Sequence, residues 1–253
     1  MNQFYIFTNS LNYINMNLFI IYIIMSKNNI FIHAAILSNC KQRIIQYLEN
    51  IYNSNLINNV ENIYICFVGP ENIPIHYDEI TKYNNNNIIK LIKVSEDLQD
   101  YEIKTLQFLY DFCKINTLCN VLYLHTKNVG KEINHCIEDQ INYMLYFLVM
   151  KYDICVNNLN HYHTCGVDLR HDPTLHYSGN FWWSTSHNIN SLPSPIDFND
   201  LNTYPNPLHS QRHNQEFWIC YNKKVDKYSS IWDCGINVYE RHLHRYPKNM
   251  YEE

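Results

Sequence analysis

From Ile30 to Lys127 the chain switches repeatedly between two periodicities, and this alternation restricts its fold more than any other feature. Ile30-Phe31-Ile32-His33-Ala34-Ala35-Ile36-Leu37 is a near-continuous apolar run, as a strand buried on both faces requires. Near Lys41 to Tyr52 the pattern changes, and Ile44, Leu48 and Ile51 recur at helical spacing. Asn62 to Val68, closed by Gly69-Pro70, and Ile88 to Val94 read as further buried strands. A helix over Tyr101 to Cys113 aligns Ile103, Leu106, Leu109 and Cys113, and Val121 to Leu124 is a strand ending in His125-Thr126-Lys127. Strands alternating with helices imply βαβ units, so the expected class is α/β with a mostly parallel central sheet flanked by helices.

The second half continues the pattern with a long amphipathic segment, Ile137 to Met150, and strands over Thr164 to Asp168 and Gly179 to Ser184. Pro193, Pro195, Pro205 and Pro207 predict a non-helical loop over Ser191 to Ser210, long enough to serve as a lid. No repeat, heptad run or second boundary is visible, so residues 27–253 are expected to form one domain. Residues 1–26 carry no charged side chain, but asparagines interrupt the apolar run and no Lys or Arg flanks its start. They read as a mis-assigned start or a loosely attached extension rather than a membrane span.

Composition removes several function classes. A net charge of -5 with only 17% charged residues offers no basic face for a polyanion, which argues against a nucleic-acid partner. Five glycines supply no GxGxxG, P-loop or G-x-S-x-G, so dinucleotide, NTPase and serine-hydrolase readings lose their marks. Nine cysteines, odd in number and without a C-x-x-C pair, suggest a reducing compartment and a cytoplasmic location. The histidines at 161, 163, 171, 176, 242 and 244 match no structural zinc spacing.

Three segments remain that can carry chemistry. His125-Thr126-Lys127 lies at a strand end, where open α/β sheets bind ligands, and its cation and hydrogen-bonding groups suit a diphosphate, with a left-handed turn at Asn128 or Gly130 adding backbone donors. His176 to Trp183 ends in two adjacent indoles, one expected in the core and the other open to stack on a sugar. Arg212-His213-Asn214-Gln215-Glu216-Phe217-Trp218-Ile219 puts a carboxylate among aromatics on a helix, where it can act as a general base.

The Leu124 to Lys127 strand end, the Gly179-Asn180-Phe181-Trp182-Trp183 segment and the Arg212-x-x-x-Glu216-x-Trp218-Ile219 helix, in this order, resemble the GT-A-type glycosyltransferases of bacterial polysaccharide clusters and large DNA viruses. Tyr101-Glu102 with Thr105-Leu106, and Tyr143-Met144 with Tyr146-Phe147, fit the same resemblance, which covers roughly Ile30 to Ile219. It implies a single Rossmann-like GT-A domain and an inverting transfer from a nucleotide-sugar donor to a glycan acceptor. Glu216 would be the base; His125, Thr126, Lys127 and Ala34 would bind the donor; His176, Asn180, Trp182, Trp183 and Arg212 would meet the acceptor. If the source is viral, the site of action would be the host cytoplasm. Such enzymes usually hold Mn2+ or Mg2+ on an Asp-x-Asp that this chain lacks, so either His125 and Lys127 neutralise the diphosphate or other groups hold the metal. The rival expectations are a non-catalytic carbohydrate-binding module using Trp182 or Trp183, and a zinc-dependent hydrolase using the histidines.

Overall fold

The computed structural model describes residues 27–84, 87–200, 211–221, 225–237 and 239–252. The extension at 1–26 and the second part of the expected lid, 201–210, lie outside the described residues. Four apolar runs form β1 (Lys27–Ala35), β2 (Val60–Val68), β3 (Ile89–Ser95) and β4 (Cys119–His125), all parallel and ordered β3-β2-β1-β4. Beyond them come β5 (Thr164–Gly166), the two-stranded ribbon of β6 (Leu169–Arg170) with β7 (His176–Tyr177), and then β8 (Trp182–Thr185) and β9 (Tyr228–Ser230). β8 enters the main sheet antiparallel between β4 and β5, and β9 closes the edge, giving seven strands in the order β3-β2-β1-β4-β8-β5-β9. The protein is thus α/β with a mostly parallel sheet, a Rossmann-like arrangement.

The helices are α1 (Cys40–Asn53), α2 (Ile103–Ile115), α3 (His135–Leu145), α4 (Tyr152–Asn158), α5 (Ser186–Ser191), α6 (Pro195–Asp200) and α7 (Gln211–Phe217). The segment expected to be one helix to Met150 instead passes from α3 into a π-helical turn, Tyr146–Met150. The non-helical reading of the Pro-rich stretch is corrected in its first part. Pro195 occupies the first position of α6, where its fixed φ suits a helix and its missing N–H costs nothing, and Ser194 Oγ caps the turn by accepting the Asp197 N–H at 3.2 Å. Among the described residues no helix is long and apolar enough to cross a membrane.

Strand alternation divides the buried side chains between two cores. Ile30, Leu122 and Trp183 lie side by side in register and pack with Ile44, Leu48 and Ile51 of α1 and Ile141, Met144 and Leu145 of α3. One residue further on, Phe31, Tyr123 and Trp182 point to the opposite face and pack with Leu106, Leu109 and Cys113 of α2 and with Trp218. Both indoles are fully buried. The expectation that Trp182 or Trp183 faces a ligand is therefore corrected: β8 is an interior strand covered on both sides, so its alternation sends one ring into each core. Trp182 stacks on Tyr123 at 5.1 Å and donates Nε1–H to Asn180 Oδ1 at 3.0 Å, while Trp183 donates to the Leu148 carbonyl at 2.9 Å. Ala34 is corrected for the same reason, since its side chain turns into the α1 and α3 core and has no exposure. All nine cysteines are free thiols.

The C-terminal segment is latched onto α3 by charge. Arg245 donates to Asp139 from Nε at 2.5 Å and Nη2 at 3.1 Å, and the Tyr246 N–H donates to the same carboxylate at 2.8 Å. Burial alone would raise the Asp139 carboxyl, but these donors hold it below its ordinary value. A carboxyl depressed in the folded state stabilises fully above its unfolded pKa of about 3.9 and loses that contribution as pH falls through the folded value. The protection factor of the Tyr246 amide, its exchange rate relative to the intrinsic rate at each pH, is therefore expected to stay flat from neutrality to about pH 4 and to fall below it. Protection that persists unchanged well below about pH 4 contradicts the latch.

Candidate functional site

The strand order itself creates a cleft. The chain leaves β1 for β2 on one side and later returns to β4 on the other, so the connections diverge at the carboxyl ends of β1 and β4, the topological switch point at which open sheets bind ligands. A cavity of about 470 Å3 lies there. Its walls include His33 and Ala35 from β1, Val68 from β2, the Leu98 to Glu102 turn, the β4 tip from His125 to Lys131, and Glu216 from α7. Lys127 and Glu216, which belong to separate sequence motifs, thus share one cavity.

The β4 tip is tied to β1 by backbone and side chain. The Thr126 N–H donates to the His33 carbonyl at 2.8 Å, and Thr126 Oγ1 accepts the Ala35 N–H at 3.2 Å. Behind it, the buried Tyr47 hydroxyl donates to the His125 carbonyl at 2.8 Å. The expected left-handed turn follows at both candidate positions, with φ 61 at Asn128 and φ 75 at Gly130. A Cβ at Gly130 would meet Leu37 Cδ1 at 3.0 Å, so backbone conformation and space both favour glycine there.

The Gly-Asn-Phe-Trp-Trp segment supports this wall from behind. His125 Nε2 lies 2.9 Å from the Gly179 carbonyl, and a carbonyl only accepts, so that nitrogen carries the hydrogen and Nδ1 turns towards Glu102. Phe181 meets the His125 ring edge-on at 5.2 Å. Gly179, at φ 102, packs so closely on Met144 that a Cβ would lie 2.7 Å from its sulfur. Asn180, also left-handed at φ 54, is buried and bridges Trp182 to Glu102. Asn180 therefore braces the site and does not line it. His176 is likewise buried, with Nδ1 donating to the Thr174 carbonyl at 2.8 Å and its ring against Phe217 at 5.2 Å. Burial lowers its pKa, with the Glu216 carboxylate partly opposing that shift, so it stands behind Glu216 as a neutral packing residue and not on the cavity wall. Arg212 belongs to α7, but its side chain lies outside the described residues.

Glu102 is the site residue that sequence reasoning left without a role. It lines the cavity with its side chain only 10% exposed, and Oε2 accepts from the Tyr123 hydroxyl at 2.7 Å and Asn180 Nδ2 at 2.8 Å. Burial, and then the Glu102 charge, push the Tyr123 phenol well above its ordinary pKa, so it keeps its proton and donates. The Glu102 N–H donates to Gln215 Oε1 at 2.7 Å, which ties α7, and with it Glu216, to the opposite wall. The preceding residue, Tyr101, holds φ 43 and ψ -125, a conformation that costs a bulky residue about 1–3 kcal/mol. A carboxylate next to a strained backbone was detectable only as the Tyr101-Glu102 pair.

Among the described residues one cluster brings three metal-ligating groups together, Asp168, Asp233 and Cys234. Its carboxylates are already matched by cations. Asp168 is paired with Arg170 at 3.1 Å and Arg241 at 2.9 Å, and Asp233 takes two bonds from Arg170 at 2.7 and 2.8 Å. The imidazole and ammonium at the β4 tip suit Mn2+ or Mg2+ poorly, because those ions take oxygen ligands, and the carboxylates on the same cavity are Glu102 and Glu216.

A family model described as Domain of unknown function (DUF8361) matches residues 28–230. No curated protein matches the chain. Among solved structures, the apo-form glycosyltransferase GlyE of Streptococcus pneumoniae TIGR4 aligns with a TM-score of 0.46 and 14% identity over 81% of this chain and 45% of that one. A second structure of GlyE gives 0.42 and 12% over the same shares. A 4-diphosphocytidyl-2C-methyl-D-erythritol synthase gives 0.35 and 9% over 89% of this chain and 95% of that one. The chain spans less than half the length of the GlyE chain. Because the family model covers most of the sequence, the protein belongs to the DUF8361 family.

Proposed function

We propose that this protein is a glycosyltransferase that moves a sugar from a nucleoside-diphosphate donor to a hydroxyl of a glycan acceptor with inversion. The reading is carried by one observation: Glu216 and the basic β4 tip at Lys127 line a single cavity at the switch point of the sheet. Its volume is within the range of small-molecule sites, about 300–1,000 Å3.

In this reading the diphosphate lies against the β4 tip, where Lys127 supplies positive charge, His125 and Thr126 shape the wall, and the left-handed turn at Asn128 and Gly130 supplies backbone donors. Glu216 accepts the proton of the acceptor hydroxyl. The freed oxygen pair forms the new bond to the anomeric carbon, the bond from that carbon to the diphosphate oxygen breaks, and the nucleoside diphosphate leaves with the electron pair. No metal is needed to balance this step, and Lys127 offsets the charge that develops on the leaving group.

The carbohydrate-binding alternative rested on an exposed indole, and both Trp182 and Trp183 are buried. Calorimetry with UDP, GDP and TDP sugars tests the proposal. Binding of one series, with affinity set by the nucleotide, is expected, whereas affinity that ignores the nucleotide, or no binding to any of them, removes the donor reading.

A further inference from the structure

We infer that Glu102 recognises the sugar of the donor, with its Oε1 accepting a hydrogen bond from a sugar hydroxyl. The inference rests on the proposed transferase reading and assigns a residue that the displacement step does not use.

The two carboxylate oxygens of Glu102 have different surroundings. Oε2 is saturated from behind by the Tyr123 hydroxyl and Asn180 Nδ2, both buried. Oε1 receives no hydrogen bond among the described residues; His125 Nδ1 lies 4.0 Å away, beyond bonding distance. An ionised carboxylate can accept about four hydrogen bonds, so Oε1 presents acceptor capacity to the cavity that a ligand donor can take over from water. The position is also built with care. Backbone strain at Tyr101 aims Glu102 inward, Gln215 fixes its amide, and two donors prevent the carboxylate from rotating. A diphosphate would be repelled by this charge, while a neutral polyol supplies the O–H donors it lacks. The basic β4 tip and acidic Glu102 therefore divide the cavity between the two chemically different parts of a nucleotide-sugar.

Glu102→Gln tests this with little change of shape, because Tyr123 and Asn180 still donate to the amide oxygen and an NH2 replaces Oε1. The probes are UDP, GDP and TDP and the glucose conjugate of each, titrated calorimetrically. For the nucleotide that binds, the substitution is expected to leave free-nucleotide affinity unchanged and to weaken the sugar conjugate about 10–100-fold, as loss of a hydrogen bond to a charged group predicts. Tyr123→Phe, which keeps Oε1, should weaken the conjugate less. Equal losses for nucleotide and conjugate, no loss for either, or a larger loss in Tyr123→Phe overturns the assignment while leaving the transferase proposal standing. A native protein that binds none of the six ligands overturns both.

Discussion

Glu216→Gln is expected to reduce sugar transfer about 10²–10⁴-fold, the usual contribution of a positioned general base, while nucleotide-sugar affinity changes little. The substitution keeps the shape of the side chain and removes only its capacity to take a proton. The effect should be confined to turnover because Asn214, Gln215, Phe217 and Trp218 anchor this stretch of the chain and are all buried, whereas Glu216 is partly exposed on the cavity. Steady-state kinetics beside calorimetry separates the two quantities. Retained turnover assigns the base elsewhere, and a parallel loss of donor binding makes Glu216 a structural part of the wall.

The largest effect on stability is expected from Trp183→Ala, about 3–5 kcal/mol, as for other large-to-small changes at fully buried aromatics. The ring fills the core between the sheet and α3, and its loss also leaves the Leu148 carbonyl without its 2.9 Å donor. Set against the marginal stability of most domains, roughly 5–15 kcal/mol, this would consume much of the folded-state margin. Denaturant titration measures it directly. A cost below about 1 kcal/mol, typical of surface substitutions, would contradict the burial described here and restore the possibility of an exposed indole.

The parallel half of the fold could be read from the chain because strands covered on both faces are written as long apolar runs, and β1 to β4 coincide with those runs to within a few residues. The second half was harder. β5 and β8 overlap the expected strands, but β6, β7 and β9, of two or three residues, are too short for periodicity to register, and the turn after Leu145 widens to a π-helix with no breaker residue to announce it. The β4 tip and Glu216 were recognised because charged residues directly after or among apolar ones stand out. That they meet was implied by the resemblance and not by any spacing, because α7 is held to the opposite wall by Gln215 reaching the Glu102 backbone across 113 positions. The aromatic pair misled for a related reason: alternation says that two adjacent residues point opposite ways, but not whether both sides of the strand are covered. Glu102 went without a role because its significance lies in its donors, Tyr123 and Asn180, which are remote in sequence.

The antiparallel placement of β8 has a consequence for biosynthesis. β4 is complete at His125, yet the strand that covers its outer edge does not begin until Trp182. A nascent chain emerging from the ribosome therefore carries, for some time, an open row of backbone donors and acceptors flanked by Val121, Leu122, Tyr123 and Leu124. Such an edge is a template for pairing with another chain. Chaperone capture during translation, and insolubility of fragments that end before Trp182, are the natural results of a sheet whose central gap is filled only after the strands on both sides of it have been made.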